Sequence, residues 1–354
     1  MTATPFRAFG SSALLISACL WSPPHQVQGQ ELIASGESHF GAIKQLTFQG
    51  ENAEAYWAFD GSKLIFQSTP ESGVGCDQIY VLDPETGASE RVSNGAGRTT
   101  CSFFYPSGDR ILYSSTHHFD QACPATPDFS KGYVWPVYPS FDVFASNADG
   151  TGLTQLTTEF GYDAEATFSP TGDRVIFTSM RDGDLNLYSM KPDGSDVTQI
   201  TDRIGYDGGA FYSPDGTKIV WRANYPETEE ALADYRSLLA EGLIRPSALE
   251  IYVANADGTG VRQLTHNGAA NFAPYWHPSG EKIVFSSNMD DPQGRDFEIY
   301  LINVDGSGLE RITYSEDFDG FPVFSPDGTH LAFASNRNKS HDGNTNVFVA
   351  EWIN

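Results

Sequence analysis

The chain of 354 residues carries 46 Asp and Glu against 21 Lys and Arg, which gives a formal net charge of -25. So acidic a surface repels nucleic acids and anionic lipid headgroups, because both are bound through lysine and arginine, and we expect neither as a partner. With 34 glycines, 20 prolines and 13% aromatic residues, the composition indicates short strands joined by many turns, and therefore an all-β fold.

The first 29 residues have the pattern of an export signal peptide. Arg7 supplies a positive charge, the apolar stretch 8–21 is too short to span a bilayer, and small residues precede a cleavage position after Gly29. A second interpretation stays open, because residues 16–19 (ISAC) are similar to a lipoprotein signal that would leave Cys19 lipidated. We expect a periplasmic or secreted protein, or alternatively a lipoprotein that contacts the membrane only through Cys19.

A short pattern then recurs six times: two aromatic or aliphatic residues, a small residue, proline, a polar residue, glycine and an alternating apolar stretch. The copies occupy residues 56–61, 103–108, 167–172, 211–216, 275–280 and 323–328. Proline and glycine at this spacing favour a tight turn, so each copy predicts a hairpin of two strands. A third strand and a short fourth strand follow, and four strands in six units predict a six-bladed β-propeller.

The two ends of the repeat region complement each other. The sixth unit stops after its third strand, and residues 44–47 (KQLT), typical of a fourth strand, stand alone before the first unit. We therefore expect the N-terminal strand to complete the last blade, which leaves no open sheet edge. The predicted organisation is a signal peptide over 1–29, a short segment over 30–41 and the propeller over 42–354.

The repeats resemble those of a known family. Residues 324–328 (FSPDG) are similar to the PD40 form of the WD40-like repeat found in TolB-type propellers, and the resemblance covers nearly all of residues 42–353. We expect the α/β domain that precedes the TolB propeller to be absent, because only residues 30–41 separate the signal from the first strand. The repeats also resemble the propeller halves of prolyl-oligopeptidase-type enzymes, whose hydrolase domain we do not expect here.

Two repeat units are longer than the others, and both insertions fall between the second and third strands, at about residues 117–139 and 225–248. Because strands alternate in direction within a blade, we expect both insertions on the same face. The first insertion contains His117, His118, Tyr133, Trp135 and Tyr138. In the second, residues 228–241 predict a short amphipathic helix that includes Tyr235. We expect this face to bind a protein, a peptide or a glycan of the cell envelope; alternatively, these residues only cover the ends of the blades.

Six oxygen-bearing residues stand seven positions before each turn proline or its equivalent, where the innermost strand enters the central channel. They are Asn52, Thr99, Asp163, Asp207, Asn271 and Asp319. Such side chains often bond nearby backbone at the start of a strand. The alternative is a ligand-binding channel mouth that holds a polar or basic ligand group, or a divalent cation at Asp163, Asp207 and Asp319, with Glu54 and Glu165 adding negative charge. No other cofactor is predicted.

Apart from Cys19, the cysteines are Cys76, Cys101 and Cys123, and export permits a disulfide without indicating which two residues form it. The sequence has no G-x-S-x-G elbow, no H-E-x-x-H, no C-x-x-C and no phosphate-binding glycine loop. We therefore favour a non-catalytic binding module over an enzyme. The alternative is a metal-dependent lyase or hydrolase with its site at the channel mouth, because propellers host both kinds of function.

Overall fold

The computed structural model describes residues 32–69, 75–292, 294–316 and 318–353. The predicted signal peptide and the lipidation position lie outside these residues. Six four-stranded antiparallel sheets make up the described chain, which confirms the predicted six-bladed β-propeller. No helix in these ranges has the length and apolar character needed to cross a bilayer.

The first strand of each blade contacts the first strand of the next blade, so these six strands surround the central channel. They are β2 (Glu51–Trp57), β6 (Thr99–Phe104), β11 (Asp163–Phe168), β15 (Tyr206–Tyr212), β20 (Asn271–Trp276) and β24 (Asp319–Phe324). The second strands are β3 (Leu64–Thr69), β7 (Arg110–Ser115), β12 (Val175–Ser179), β16 (Lys218–Asn224), β21 (Lys282–Ser287) and β25 (His330–Ser335).

The third strands pair with the second strands and lie further from the axis. They are β4 (Gln78–Leu82), β9 (Asp142–Asn147), β13 (Asn186–Met190), β18 (Glu250–Asn255), β22 (Glu298–Asn303) and β26 (Asn346–Trp352). The outermost strands of the first five blades are β5 (Ser89–Arg91), β10 (Thr154–Gln155), β14 (Thr198–Gln199), β19 (Arg262–Gln263) and β23 (Glu310–Arg311). These outer strands have two or three residues, so the first five blades present little free edge to other chains.

A large ring at the centre of every second strand fills the space between neighbouring blades. These rings belong to Phe66, Tyr113, Phe177, Trp221, Phe285 and Phe333, and none is more than 2% exposed. Burial of each such side chain contributes about 2 kcal/mol. The alternation of apolar and polar residues in the repeats therefore builds a core that continues around the whole ring.

The predicted closure of the ring by the N-terminal strand is confirmed. β1 (Phe40–Gln45) pairs antiparallel with β26, with Phe40 opposite Trp352 and Gln45 opposite Phe348. β2 of the first blade also contacts β24 of the last, so the innermost strands form a continuous circle.

A buried ion network holds the segment before β1 in place. Glu37 and Arg337 form an ion pair of 2.8 Å, and Arg337 forms a second one of 2.8 Å with Asp319. Arg337 also donates a hydrogen bond of 2.9 Å to the carbonyl of Leu32. The N-terminal segment is thus joined to the last blade by buried charges as well as by strand pairing.

The two insertions lie side by side. β8 (Trp135–Pro136) in the first pairs antiparallel with β17 (Leu243–Ile244) in the second. Lys131 forms an ion pair of 2.5 Å with Glu241, and Arg245 donates a hydrogen bond of 3.0 Å to the carbonyl of Lys131. These contacts join segments of two different blades into one unit, which we call the insertion platform (residues 117–139 and 225–248).

The helix of the second insertion, α1 (Glu229–Leu239), lies within the range expected for it. The Thr228 hydroxyl accepts a hydrogen bond from the Ala231 N–H and begins the helix. The Tyr235 hydroxyl donates to Asp184 at 2.5 Å, and it lies 2.8 Å from the carbonyl of Gly205. Tyr235 therefore anchors the helix to the propeller.

A disulfide joins Cys76, two residues before β4, to Cys123 in the first insertion, with the Cα atoms 5.8 Å apart. Cys101 is a free thiol. The structure thus selects one of the three pairings that the sequence left open.

Replacement of both bonded cysteines, Cys76→Ser with Cys123→Ser, is expected to lower the free energy of unfolding by about 2–4 kcal/mol, because the disulfide closes a long loop. Chemical denaturation measures this loss. Thiol titration of the unreduced, denatured chain expressed from residue 30 checks the pairing: one reactive thiol is expected, from Cys101, and three would contradict the disulfide.

Candidate functional site: the plugged central channel

Every innermost strand has the same irregularity two residues after the oxygen-bearing position. There the pairing with the second strand shifts register, and the residue has a φ between 49° and 61°. These residues are Glu54, Cys101, Glu165, Gly209, Ala273 and Phe321. A bulge redirects the side chain at the extra residue, and here all six residues line one cavity on the axis, which we call the upper chamber.

The oxygen-bearing residues predicted at the channel mouth are at most 2% exposed. Asp163 pairs with Arg181 at 3.2 Å, and Asp207 accepts hydrogen bonds from Trp221 at 2.7 Å and Tyr225 at 2.5 Å. Asp319 pairs with Arg337, as described above. Each aspartate is thus engaged inside its own blade.

The other three members of this set bond backbone of the preceding blade. Thr99 donates to the carbonyl of Asp77, Asn271 to that of Leu249 and Asn52 to that of Thr345, at 2.9, 2.7 and 2.9 Å. In the part of the chain that the structure describes, no three His, Cys, Asp or Glu side chains are grouped closely enough to hold a metal ion. A ligand or cation at these six residues stays a prediction.

The polar contacts of the upper chamber centre on Glu165 and Arg222, which form an ion pair while both side chains are nearly buried. Glu165 also accepts hydrogen bonds from the Thr178 hydroxyl at 2.7 Å and the Gly209 N–H at 2.9 Å. Arg222 donates to the Tyr206 hydroxyl at 2.8 Å. A Cβ atom at Gly209 would lie 2.1 Å from Arg222 Nη1, so a glycine is required for Arg222 to cross the innermost strand.

Sequence reasoning missed Arg222 as a channel residue. Gly209 follows another glycine and stands where the other five innermost strands carry larger side chains, which was a signal of close approach by another group. The sequence alone does not identify this group as Arg222, because the assignment depends on the strand pairing, in which Gly208 lies opposite Arg222.

Glu54 and Cys101 occupy the other side of the upper chamber. Burial raises the pKa of Glu54 to about 7 and the pKa of the Cys101 thiol well above its ordinary value. Glu54 Oε2 is buried and has no hydrogen-bond partner among the described residues. The carboxyl group of Glu54 therefore changes its charge near neutral pH inside the channel.

The Glu54 carboxyl should make the free energy of unfolding decrease as pH rises, because its pKa is 4.5 in the unfolded chain and about 7 in the folded protein. A raised folded-state pKa favours the native state at low pH, and the advantage, up to about 3 kcal/mol, is lost between those two pH values. Urea unfolding at pH 5 and pH 8 should show Glu54→Gln gaining stability over the wild type as pH rises. The exposed-site control Glu351→Gln should follow the wild type; a Glu54→Gln curve parallel to the wild type would contradict the assignment.

The insertion platform covers part of the upper chamber. The Trp135 ring centre lies 5.4 Å from the Arg222 guanidinium carbon, and the same ring contacts Phe272 edge-on at 6.3 Å. The open space that remains inside the chamber is about 20 Å³, which is room for one or two water molecules.

Below the upper chamber, aromatic rings from four blades fill the channel. Tyr56 contacts Phe103 and Phe211 at centroid distances of 5.6 and 5.5 Å, and Phe211 contacts Tyr275 at 5.0 Å. Tyr56 and Phe211 come from the first and fourth blades, which face each other across the ring. These four rings, the aromatic plug, separate the upper chamber from the opposite mouth of the channel.

The predicted residues of the insertion face have different environments. His117 Nδ1 lies 2.7 Å from the Ser115 hydroxyl and its ring contacts Phe144; burial lowers the pKa of His117. His118 is exposed. The Tyr138 hydroxyl donates to a carbonyl within the first insertion.

The remaining two rings of the first insertion are close together. Tyr133 is exposed, and the Arg295 guanidinium carbon lies 5.2 Å from its ring centre. Trp135 donates a hydrogen bond of 3.1 Å to the Tyr133 hydroxyl. Trp135 faces the chamber while Tyr133 faces solvent, so together they form the part of the platform that links the channel to the surface.

The fold and the site define a closed six-bladed β-propeller whose channel is blocked at mid-height and covered on one face by a platform. Residues 233–342 match the PD40 family model, described as the TolB beta propeller domain, which confirms the resemblance seen in the repeats.

Solved structures share this architecture at low sequence identity. A putative TolB from Agrobacterium tumefaciens is 20% identical with a TM-score of 0.55, over 86% of this chain and 91% of that one. TolB from Acinetobacter baumannii is 16% identical with a TM-score of 0.59, over 81% of this chain but only 63% of that one. An oligogalacturonate lyase in complex with manganese is 16% identical with a TM-score of 0.51, over 91% and 95% of the two chains. Identities this low establish a common fold and nothing about ligands.

Proposed function

We propose that this chain is an exported, non-catalytic binding protein that recognises a protein, a peptide or a glycan of the cell envelope through its insertion platform. The observation that carries the proposal is the pairing of β8 with β17, which joins insertions from two blades into one surface over the channel. Loops that serve only as connections have no need of such cross-links, whereas a binding surface gains affinity when it is held rigid before the partner arrives.

The exposed chemistry of the platform supports a protein partner most strongly. Phe129 is 52% exposed and Tyr133 54% exposed, and both belong to the first insertion. The Lys131–Glu241 ion pair and Arg295 lie beside them. Exposed aromatic rings with neighbouring arginine are typical of the residues that contribute most to protein interfaces.

The upper chamber is too small to hold a ligand, which favours recognition on the outer surface of the platform. A space of about 20 Å³ admits water and excludes a sugar ring or a peptide. The aromatic plug blocks passage from one face to the other. A ligand larger than water that approaches this face must therefore bind outside the upper chamber, where the platform provides the surface.

Photo-crosslinking in the native cell envelope tests the proposal. A photoreactive amino acid at Tyr133 should give adducts, and the same amino acid at Val261, an exposed apolar residue in a turn of the opposite face, serves as the matched control. Protease sensitivity of the adduct indicates a protein or peptide partner, and glycosidase sensitivity a glycan. An adduct yield at Tyr133 no higher than at Val261 would argue against the platform as the binding surface.

A second candidate function, a metal-dependent lyase or hydrolase, is favoured by one observation. Glu54 and Glu165 line the same chamber beside Arg222, and carboxyl groups of this kind serve as general acids and bases. Incubation with polysaccharides and peptides, with and without Mn²⁺, tests it. Product formation lost in Asp163→Ala, Asp207→Ala or Glu54→Gln would support the enzyme, and no product under any condition would count against it.

A further inference from the structure

The turn-bearing face of the propeller has a second opening, the funnel, which lies below the aromatic plug. Its volume is about 230 Å³, and all six blades contribute to its wall. Aromatic rings such as Phe59, Phe168 and Tyr275 and turn prolines such as Pro170 and Pro326 form most of the lining. More than half of the funnel lining exposed to solvent is therefore apolar.

At four of the six seams between blades, the turn glycine of one blade lies near the turn proline of the preceding blade; a Cβ on Gly172, for example, would lie 2.8 Å from Pro106. A Cβ on Gly108 or Gly280 would meet nothing within 4 Å. In the first blade, Phe59 stands in place of the turn proline. Its ring instead contacts Phe103 edge-on at 6.0 Å in the funnel wall.

A groove continues from the funnel across the seam between the last and first blades. Its volume is about 730 Å³, and it shares Trp57, Phe59 and Pro326 with the funnel. The funnel and this groove together form one opening from the axis to the edge of the ring, which we call the turn-face cleft. Its length suits an extended chain better than a compact small molecule.

The outer half of the turn-face cleft is acidic. Asp60, Asp327 and Glu351 line it, and the Lys44 ammonium group there is already bound by two carbonyls at 2.6 and 2.7 Å. Hydrogen bonds from Ser325 and Thr329 lower the pKa of Asp327 to about 2, so this carboxylate is ionised. The cleft thus pairs an apolar inner end with a negatively charged outer end.

We propose that the turn-face cleft binds an extended peptide segment of a partner protein, with an aromatic or large aliphatic side chain in the funnel and a lysine or arginine over the seam. Apolar burial in the funnel and attraction to the outer carboxylates fix the direction of the peptide. A lysine or arginine can pair with the outer carboxylates whereas a neutral sugar cannot, so the charge of the cleft favours a peptide over a glycan. This site lies on the face opposite the insertion platform and is independent of the proposed function.

Selection of a random heptapeptide library on phage against the mature full chain tests the proposal. Enriched peptides should combine an aromatic or large aliphatic residue with a lysine or arginine. The synthetic form of an enriched peptide should bind at least tenfold more weakly to Phe59→Pro, which restores the turn residue used by the other blades. It should weaken similarly with Asp60→Asn, Asp327→Asn and Glu351→Gln combined, which keep the side-chain oxygens and remove the charges.

The platform variant Tyr133→Ser is the control and should bind the peptide as the wild type does. Thermal unfolding of each variant confirms that it folds. Any of four results would overturn the proposal: no enrichment, equal affinity for the wild type and the cleft variants, loss of binding in Tyr133→Ser alone, or displacement of the peptide by oligosaccharides. A concentration-dependent dimer that Phe59→Pro abolishes would assign the cleft to a second copy of this chain instead.

Discussion

A chain that starts at residue 48, without β1 and the segment before it, is expected to accumulate as insoluble or partly folded protein. The deletion removes the buried side chains of Leu32, Phe40, Ile43 and Leu46, which is a loss on the order of 8 kcal/mol. It also leaves Arg337 without Glu37 and exposes the edge of β26. A loss of this size is comparable with the whole stability of a typical domain.

Soluble yield and thermal unfolding of the truncated chain measure this effect. A synthetic peptide of residues 32–48, added during refolding, should restore solubility by supplying the missing strand, and a peptide of the same composition in scrambled order should not. A truncated chain that stays monomeric and melts within a few degrees of the full chain would show that strand closure contributes little.

Arg222→Leu is expected to lower the free energy of unfolding by about 3–5 kcal/mol, because it leaves the carboxylate of Glu165 buried without its counter-charge. The double variant Arg222→Leu with Glu165→Gln should recover a large part of this loss, since the neutral amide can keep the hydrogen bond from Thr178. Chemical denaturation of the two single variants and the double variant gives the coupling energy directly.

The exposed Arg236→Leu on α1 is the matched control and should change stability by no more than about 0.5 kcal/mol. If Arg222→Leu costs no more than this control, the ion pair does not stabilise the channel. If the double variant is less stable than Arg222→Leu alone, an unpaired Glu165 is not the source of the loss.

The two faces of the propeller offer different chemistry to a partner. The insertion platform joins two blades and exposes aromatic rings beside charged residues, whereas the turn-face cleft is apolar at the axis and acidic toward the edge. Because the aromatic plug separates them, a partner on one face has no direct contact with a partner on the other. We therefore expect binding at the two faces to be independent, unless the blades themselves shift.

The amino-acid sequence by itself determined the number of blades and the way in which the ring closes. Both depend on local chemistry: the Pro-x-Gly turns fix the hairpins, and the unpaired fourth strand at residues 44–47 has a single vacant position to fill. The helix of the second insertion was also predictable from local sequence, because Thr228 provides its N-terminal cap.

Only the tertiary structure decided which side chains face the channel. The spacing from the turn proline pointed to Asp163 and its counterparts, with Glu54 and Glu165 only adding charge. In the structure the aspartates are buried inside their blades, and a bulge in each innermost strand turns the residue two positions later, such as Glu165, toward the axis. A single extra residue in a strand turns every following side chain to the opposite face of the sheet. The local sequence does not indicate where such a bulge occurs. The Cys76–Cys123 bond and the pairing of β8 with β17 depended likewise on contacts between segments far apart in sequence, where local propensity carries no information.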